Sequence, residues 1–447
     1  MHSHDHLALD DYPVPGGQSP STAEVGAPVD PPRGRWGMLL LAAGLILIAL
    51  NLRIGVASIG PVLGDIQASL GLSATMASLL TTIPVFAFGV FAFLTPILMR
   101  RLGMHRLLGL IMAVLAVGIL TRLHPSLTAL FLGTVFVGAA IAIGNVAMPP
   151  AIKQDFSHRA GLMMGLYSTA LFVGAAAASG LTVPLLPHLG QDWRAALGMW
   201  AIPAILAVIV WIPQMRRSPG RLKTNPNVAD APSDRGEPAL RAVMTDPTAL
   251  GVTAFMGLQS LSYYFALTWV PTMFQDAGMA PSTAGWMISF SAFPGIVTSL
   301  TMPGIAKRMR TTWLPVMIAV ALTAAGFLGL AVAPLAAPYV WMTLLGLGQG
   351  ASISLSLSYI VWRSPDTPHT SQLSTASQGF GYLLAGLGPL GIGAIYGATG
   401  NWTLPLVALG VLLTAQLVAG IVASRPVHIL SDSHDPTVAL TQEASTR

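Results

Sequence analysis

The sequence predicts an all-α membrane protein of twelve transmembrane helices arranged as two six-helix halves. Three observations predict it. The composition is 53% hydrophobic and only 9% charged, against about 25% charged in ordinary soluble domains. Apolar runs long enough to cross a bilayer, which takes about 20 residues, recur along the chain. Of the 22 Lys and Arg residues, all but Arg53, Arg122 and Arg194 fall in polar segments that alternating spans place on one side of the membrane.

Taken in order, residues 1–35 read as a disordered cytoplasmic tail. The stretch is rich in Pro, Gly, Asp and Ser, carries scattered His2, His4 and His6, and has no apolar run followed by a cleavage site. Candidate spans follow at 37–64, 73–99, 105–122, 126–150, 160–187 and 194–213, which make up an N-terminal half, 36–213. A linker over 214–246 contains Pro219, Pro226, Pro232 and Pro238 and lacks an apolar run. The C-terminal half, 247–424, holds spans at 247–275, 283–306, 312–333, 336–361, 370–398 and 402–424, and 425–447 is a second polar tail. Pro149-Pro150 and Pro389 are expected to break or kink their helices.

Basic residues gather on the cytoplasmic side of bacterial and eukaryotic membrane proteins alike. With the N-terminus inside, only Arg122 and Arg194 lie in outer loops and Arg53 lies within the membrane. This places the protein in the cell (plasma or inner) membrane with both termini and the linker cytoplasmic. It also accounts for the net charge of +5 without a nucleic-acid partner. The halves look like weak repeats at similar offsets: Gly144-Asn145 is matched by Gly348-Gln349, and Gln191-Asp192-Trp193-Arg194 by Gly400-Asn401-Trp402-Thr403. Two such halves with a midplane site between them is a transporter plan.

The first span carries the most informative residue. Arg53 lies roughly 22 Å along the helix from residue 38 at 1.5 Å per residue, too deep for easy snorkelling. A charge there costs about 2.5–3.5 kcal/mol on insertion scales and marks a substrate or ion path. By this segmentation it is the only Lys, Arg, Asp, Glu or His in the hydrocarbon core, so it reads as an electrostatic anchor for a small anion. Asn51, about 200° round the helix, cannot share its cavity and reads as a helix-to-helix hydrogen bonder. On the tenth span, Gln349, Ser352, Ser356 and Tyr359 fall on one face, with Gln349 as the candidate ligand contact. Gln259, Tyr263 and Tyr264 on the seventh span are cavity-lining candidates, joined by Asn145, Tyr167, Gln378 and Tyr382. Gly161/Gly165 and Gly393/Gly397 have the small-xxx-small spacing of close helix packing.

Other chemistries lack their residues. There is no Cys, no HExxH, no phosphate-cradling loop, and His105, His124, His158, His188 and His369 all sit at helix ends. An enzyme, an ATP-driven pump, a metal site and any cofactor are therefore not expected. With no membrane carboxylate, proton coupling would fall to Asp65 or another peripheral acid, or to the substrate.

Several stretches resemble the major facilitator superfamily, and within it the cyanate/2-nitroimidazole transporter branch. They are Asn51-Leu52-Arg53, RRLGMHR at 100–106, IKQDF at 152–156, GLMMGLYSTAL at 161–171, GLQSLSYY at 257–264 with WVP at 269–271, and SQGFGYLLAGLGPL at 377–390. The resemblance covers 36–424. It implies a cavity lined by spans 1, 4, 7 and 10, bringing Arg53, Asn145, Gln259, Tyr263 and Gln349 together. The superfamily's G-x-L-x-D-R-x-G-R-R loop is altered: Arg100 takes the acidic place, while Arg101, Gly103 and Arg106 remain. Asp155 is the acid expected to pair with this basic gating cluster.

The expected function is alternating-access transport of a small anionic or polar planar solute, cyanate-like, nitroimidazole-like or a small carboxylate, by a monomer in a lipid bilayer. Broad drug efflux is the alternative within transport, and a non-transporting sensor or scaffold is the alternative from another class.

Overall fold

The computed structural model describes residues 35–217 and 238–430. The tail histidines and most of the expected linker and C-terminal tail lie outside them.

All twelve expected segments are helical. The first is α1 (Arg35–Ala57), a 3-10 turn at Gly60–Val62, and α2 (Leu63–Leu70). The break falls where Pro61 lacks an N–H and Gly60 offers no side chain. The second is α3 (Ala74–Ala92) and α4 (Thr95–Leu102), bent by 59° between them. Then come α5 (Met104–Thr121), α6 (Leu127–Asp155), α7 (Ala160–Leu185), and the broken pair α8 (Trp193–Gly198) and α9 (Ala201–Arg217). After the short α10 (Leu240–Val243), inside the expected linker, follow α11 (Pro247–Asp276), α12 (Pro281–Arg308), α13 (Leu314–Val332), α14 (Pro338–Trp362), α15 (Thr367–Thr399) and α16 (Thr403–Ala423).

Among the described residues, ten helices are long and apolar enough to cross a membrane, or eleven with the bent α3–α4 pair. The remaining segment is α11. Its 30 residues are ample for a crossing, but Gln259, Ser260, Ser262, Tyr263 and Tyr264 reduce its apolarity. Gln259, Ser260 and Ser262 are buried, so these polar groups face protein.

The breaks expected at the prolines do not occur. α6 runs through Pro149 and Pro150 to Asp155, and α15 runs unbroken past Pro389 to Thr399. Neighbouring helices hold both in place: α6 packs on α3, α5 and α15, and α15 packs on α11 and α3.

The first and last six segments pack into one unit through α7 against α12 and α3 against α15. Two close backbone approaches lie elsewhere, between α12 and α14. A Cβ on Gly346 would strike the Ser291 carbonyl, and one on Gly350 would strike the Gly295 backbone. Gly165 packs near the Leu300 carbonyl on α12, as its spacing suggested, whereas Gly393 meets the Trp269 side chain and Gly397 meets nothing within 4 Å. At the positions expected to repeat, Gly144 on α6 meets Leu52 of α1 and Ile111 of α5, and Gly348 on α14 meets Thr323 of α13. Val411 and Val418 on α16 and Leu328 on α13 are exposed apolar residues, as a lipid-facing surface requires.

Asn51 behaves as expected. It is 1% exposed, and its Nδ2 donates to the Leu47 carbonyl at 2.8 Å and to the Pro203 carbonyl of α9 at 3.1 Å.

Arg53 is not the only cation within the bundle. Arg122, expected in an outer loop, caps the end of α5, is 1% exposed, and donates from Nη1 to the Gly55 carbonyl at 2.8 Å. The reason is the break in α1. Ser58 N–H bonds Ile54 and Ile59 N–H bonds Val56, which leaves Gly55 among the carbonyls a helix end cannot satisfy itself. A cation at that negative end is favoured.

Candidate functional site

Arg53 lies in the last turns of α1, one turn before the break. It is half-buried, and its Nη1 donates to the Tyr264 hydroxyl on α11 at 3.4 Å. Tyr382 and Tyr263 are also close enough to act on its charge. Asp155 and Asp366 each lie in an ion pair with a histidine, and among the described residues no carboxylate pairs with Arg53. A small cavity opens beside the guanidinium, lined by Arg53, Phe172, Gln259, Tyr263, Gln349 and Ile353 among others. It leaves about 20 Å³ for the centres of water molecules, room for one or two waters.

Helical phase explains the set. Gln259 and Tyr263 lie one turn apart on α11 and reach the same cavity, while Tyr264, a residue further round, meets Arg53 directly. Tyr263 stands edge-on to Phe172, with centroids 6.4 Å apart, and to Tyr264, at 5.6 Å. Gln349 Nε2 donates to the Ser262 carbonyl at 3.4 Å, tying α14 to α11. One fixed cation, amide groups and aromatic edges can together hold a small anion or a planar polar solute.

The other four candidates form a buried plug next to the cavity and are not part of its lining. Tyr167 donates to Asn145 Oδ1 at 3.2 Å. Gln378 Nε2 donates to the Asn145 carbonyl at 2.8 Å and to Ser374 Oγ at 2.9 Å. Ser374 Oγ donates to the Val146 carbonyl at 2.8 Å. Asn145, Tyr167, Gln378 and Tyr382 are all buried, and Tyr382 packs edge-on to Phe88 at 5.4 Å. The bonds from Gln378 and Ser374 to the Asn145 and Val146 carbonyls run between α15 and α6 and join the two halves.

The same seal extends to the end where the basic residues gather. Lys153, near the end of α6, donates to the Ser364 carbonyl at 3.0 Å and the Val361 carbonyl at 3.3 Å, both at the C-terminal end of α14. Asp366 caps α15, accepting from the His369 N–H at 2.9 Å and lying 2.6 Å from His369 Nδ1. Burial opposes ionisation of Asp366. The His369 N–H and ring, together with the Lys153 charge, outweigh that and hold its carboxyl below the usual range. Arg363 donates to the Ala423 and Ser424 carbonyls, each at 2.8 Å, and accepts from Ile429 N–H at 2.8 Å. The segment after α16 is thereby strapped beneath the bundle.

Of the expected gating cluster, Asp155 is buried and meets the 100–106 segment at His105, 3.7 Å away. Arg100, Arg101 and Arg106 are exposed. Lys153, Asp366, His369 and Phe172 were missed. Asp366 followed by Thr367-Pro368 is an N-cap signature that could have marked the first helical turn. Nothing local in the sequence signals that Lys153 reaches the other half.

The opposite end is loose by comparison. Residues 370–379 of α15 are all buried, whereas Gly391, Ala394, Gly397 and Ala398 are exposed. Gly180, Gly391 and Gly397 have nothing within 4 Å of a Cβ position. Long apolar helices in two halves, sealed at one end and meeting at a central polar site, define a multi-pass membrane transporter. The family model described as Major Facilitator Superfamily matches residues 39–389, and the chain belongs to that family.

The chain is 37% identical to the "Uncharacterized transporter YycB" of Bacillus subtilis (strain 168), covering 87% of this chain and 94% of that one. It is 33% identical to the "2-nitroimidazole transporter" of Escherichia coli (strain K12), covering 87% and 96%. Against the "Cyanate transport protein CynX" of the same organism it is 30% identical, covering 80% and 90%. These relatives bear out the branch resemblance. The fold is shared with the proton:xylose symporter XylE, at a TM-score of 0.65 and 12% identity over 87% of this chain and 94% of that one. The family and its relatives are transporters, so the chain is a transporter and not an enzyme.

Proposed function

We propose that the protein moves a small anionic or polar planar solute by alternating access, with Arg53 as the central anchor. The observation that carries this is a half-buried guanidinium lining a cavity with Gln259, Tyr263 and Gln349, paired with no carboxylate among the described residues. The substrate then supplies the counter-charge. Asn145, Tyr167, Gln378 and Tyr382 close the path on the basic side and become accessible when the halves rock apart. Lys153, Asp155 and the 100–106 segment belong to the gate at that end.

The basic side is the cytoplasmic one by the positive-inside rule. The linker and both tails lie there, and a monomer in the plasma membrane suffices for function. The state described is then sealed inward and loose outward. The test is flux in proteoliposomes. Arg53→Gln keeps the side-chain volume near that of arginine and removes the charge. It is expected to abolish anion uptake while the protein inserts and melts normally. Uptake at the wild-type rate in that variant overturns the anchor role.

A further inference from the structure

A second cavity adjoins the one at Arg53 and shares Phe172, Tyr263 and Gln349 with it. It leaves about 40 Å³ for water centres, twice the space beside Arg53. Its remaining walls are chiefly apolar: Ala266, Ile288, Ala292, Met342 and Leu345 from α11, α12 and α14. No charged residue lines it. The one hydroxyl in its α12 wall, Ser291 Oγ, donates back to its own helix at the Ile288 carbonyl, 2.7 Å away. Gln349 is occupied with Ser262.

The space exists because Ala266 and Ala292 are small. It persists because Gly346 and Gly350 lock α14 against the α12 backbone. Water finds few hydrogen-bond partners along the Ala266, Ile288, Ala292, Met342 and Leu345 walls. A site that needed only to hold a bare, strongly hydrated anion would have no use for a chiefly apolar annex adjoining its cation.

We infer that the physiological substrate is an amphipathic monoanion: a carboxylate or similarly delocalised anionic group at Arg53, and a short alkyl or aryl body in the side cavity across Tyr263 and Phe172. This rests on the proposed role of Arg53 and adds the substrate class. The anionic end sets orientation through Arg53, and Gln349 and the Tyr263 hydroxyl stand at the junction between head and body. The aromatic edges of Phe172 and Tyr263 suit a flat ring. A single methylene placed in an apolar pocket discriminates roughly 10–200-fold. A phenyl or propyl group is therefore expected to raise affinity at least tenfold over the bare head group.

The experiment compares formate and cyanate with butyrate and benzoate on the purified full-length protein, by equilibrium binding and by counterflow in proteoliposomes. Wild type is expected to bind benzoate and butyrate at least tenfold more tightly than formate. Ala292→Leu fills the side cavity and is expected to bring the benzoate-to-formate ratio towards one. Ala292→Gly enlarges it and is expected to admit 2-naphthoate, which covers the case in which the leucine variant fails to fold. Equal affinity for formate and benzoate in wild type, or an unchanged ratio in both Ala292 variants, overturns the inference and leaves the Arg53 anchor standing. Binding of all four anions that survives Arg53→Gln, or binding of none by wild type, overturns the anchor role and this inference with it.

Discussion

Replacing Lys153 with methionine should unlatch the basic end of the transporter. The lysine ammonium bridges the halves through two carbonyls at the end of α14, at 3.0 and 3.3 Å. Those carbonyls lie where a helix cannot satisfy them itself and where its dipole favours a cation. A hydrogen bond to a charged group contributes about 1.5–3 kcal/mol. Lys153 is only half-buried, so water competes, and the pair together is credited with the value of one such bond. That corresponds to a shift of roughly ten- to hundredfold in the equilibrium between sealed and open forms. Methionine keeps the apolar stem and removes the donor. The chain contains no Cys, so spin labels at Arg216→Cys and Arg308→Cys, on exposed ends of α9 and α12, report separation of the halves without background. Lys153→Met is expected to move the distance distribution towards longer values. An unchanged distribution, in a variant that melts with wild type, would refute the latch.

Two further outcomes follow from packing and charge. Gly350→Ala drives a methyl group into the Gly295 backbone and should lower stability by about 1–3 kcal/mol, read as a lower melting temperature in detergent. Gly397→Ala, with nothing within 4 Å, should be neutral or slightly stabilising. His428, in the strap after α16, is held below its ordinary pKa by burial and then by the Lys153 and Arg363 charges. A depressed folded value means that the strap is fully docked above about pH 6.5. Docking weakens as pH falls below that towards the folded value, because the released strap binds the proton more readily. Protease sensitivity of the C-terminal segment should therefore rise on mild acidification, and less so in His428→Gln.

The bundle was legible because each span is an apolar run and the basic residues sort by side. Arg53 was legible because a charge inside such a run has no bland place to go. Phase also worked locally: Gln259 and Tyr263 share a face and a cavity, and Asn51 bonds another helix. The failures share a cause. Pro149 and Pro150 break isolated helices, yet here α6 continues through them, packed against α3, α5 and α15. Arg122 looked like a loop residue because its partner, the Gly55 carbonyl, is an acceptor created by a break 67 residues away in sequence. Lys153 belongs to a pairing that local pattern does not encode, since the α14 carbonyls it caps are on the opposite half. Small-xxx-small spacing nominated Gly393/Gly397, but the tight contact is Gly346/Gly350, because spacing shows that helices can approach and not which ones do.

If Arg53 is the anchor, its lack of a protein counter-charge has a kinetic consequence. The return of an empty carrier buries an unneutralised cation as the halves close round it. Desolvating an ion without a partner costs several kcal/mol, and each 1.4 kcal/mol slows a step about tenfold. With the anion bound, the closing bundle buries a charge pair instead, and the Tyr264 hydroxyl at 3.4 Å is free to turn its hydrogen bond towards the substrate. The loaded carrier should thus reorient faster than the empty one. In proteoliposomes loaded with labelled benzoate, efflux into buffer containing unlabelled benzoate is expected to exceed efflux into anion-free buffer by at least tenfold. Equal rates would show that the empty carrier neutralises Arg53 by other means, and the substrate would lose its place as the obligatory counter-charge.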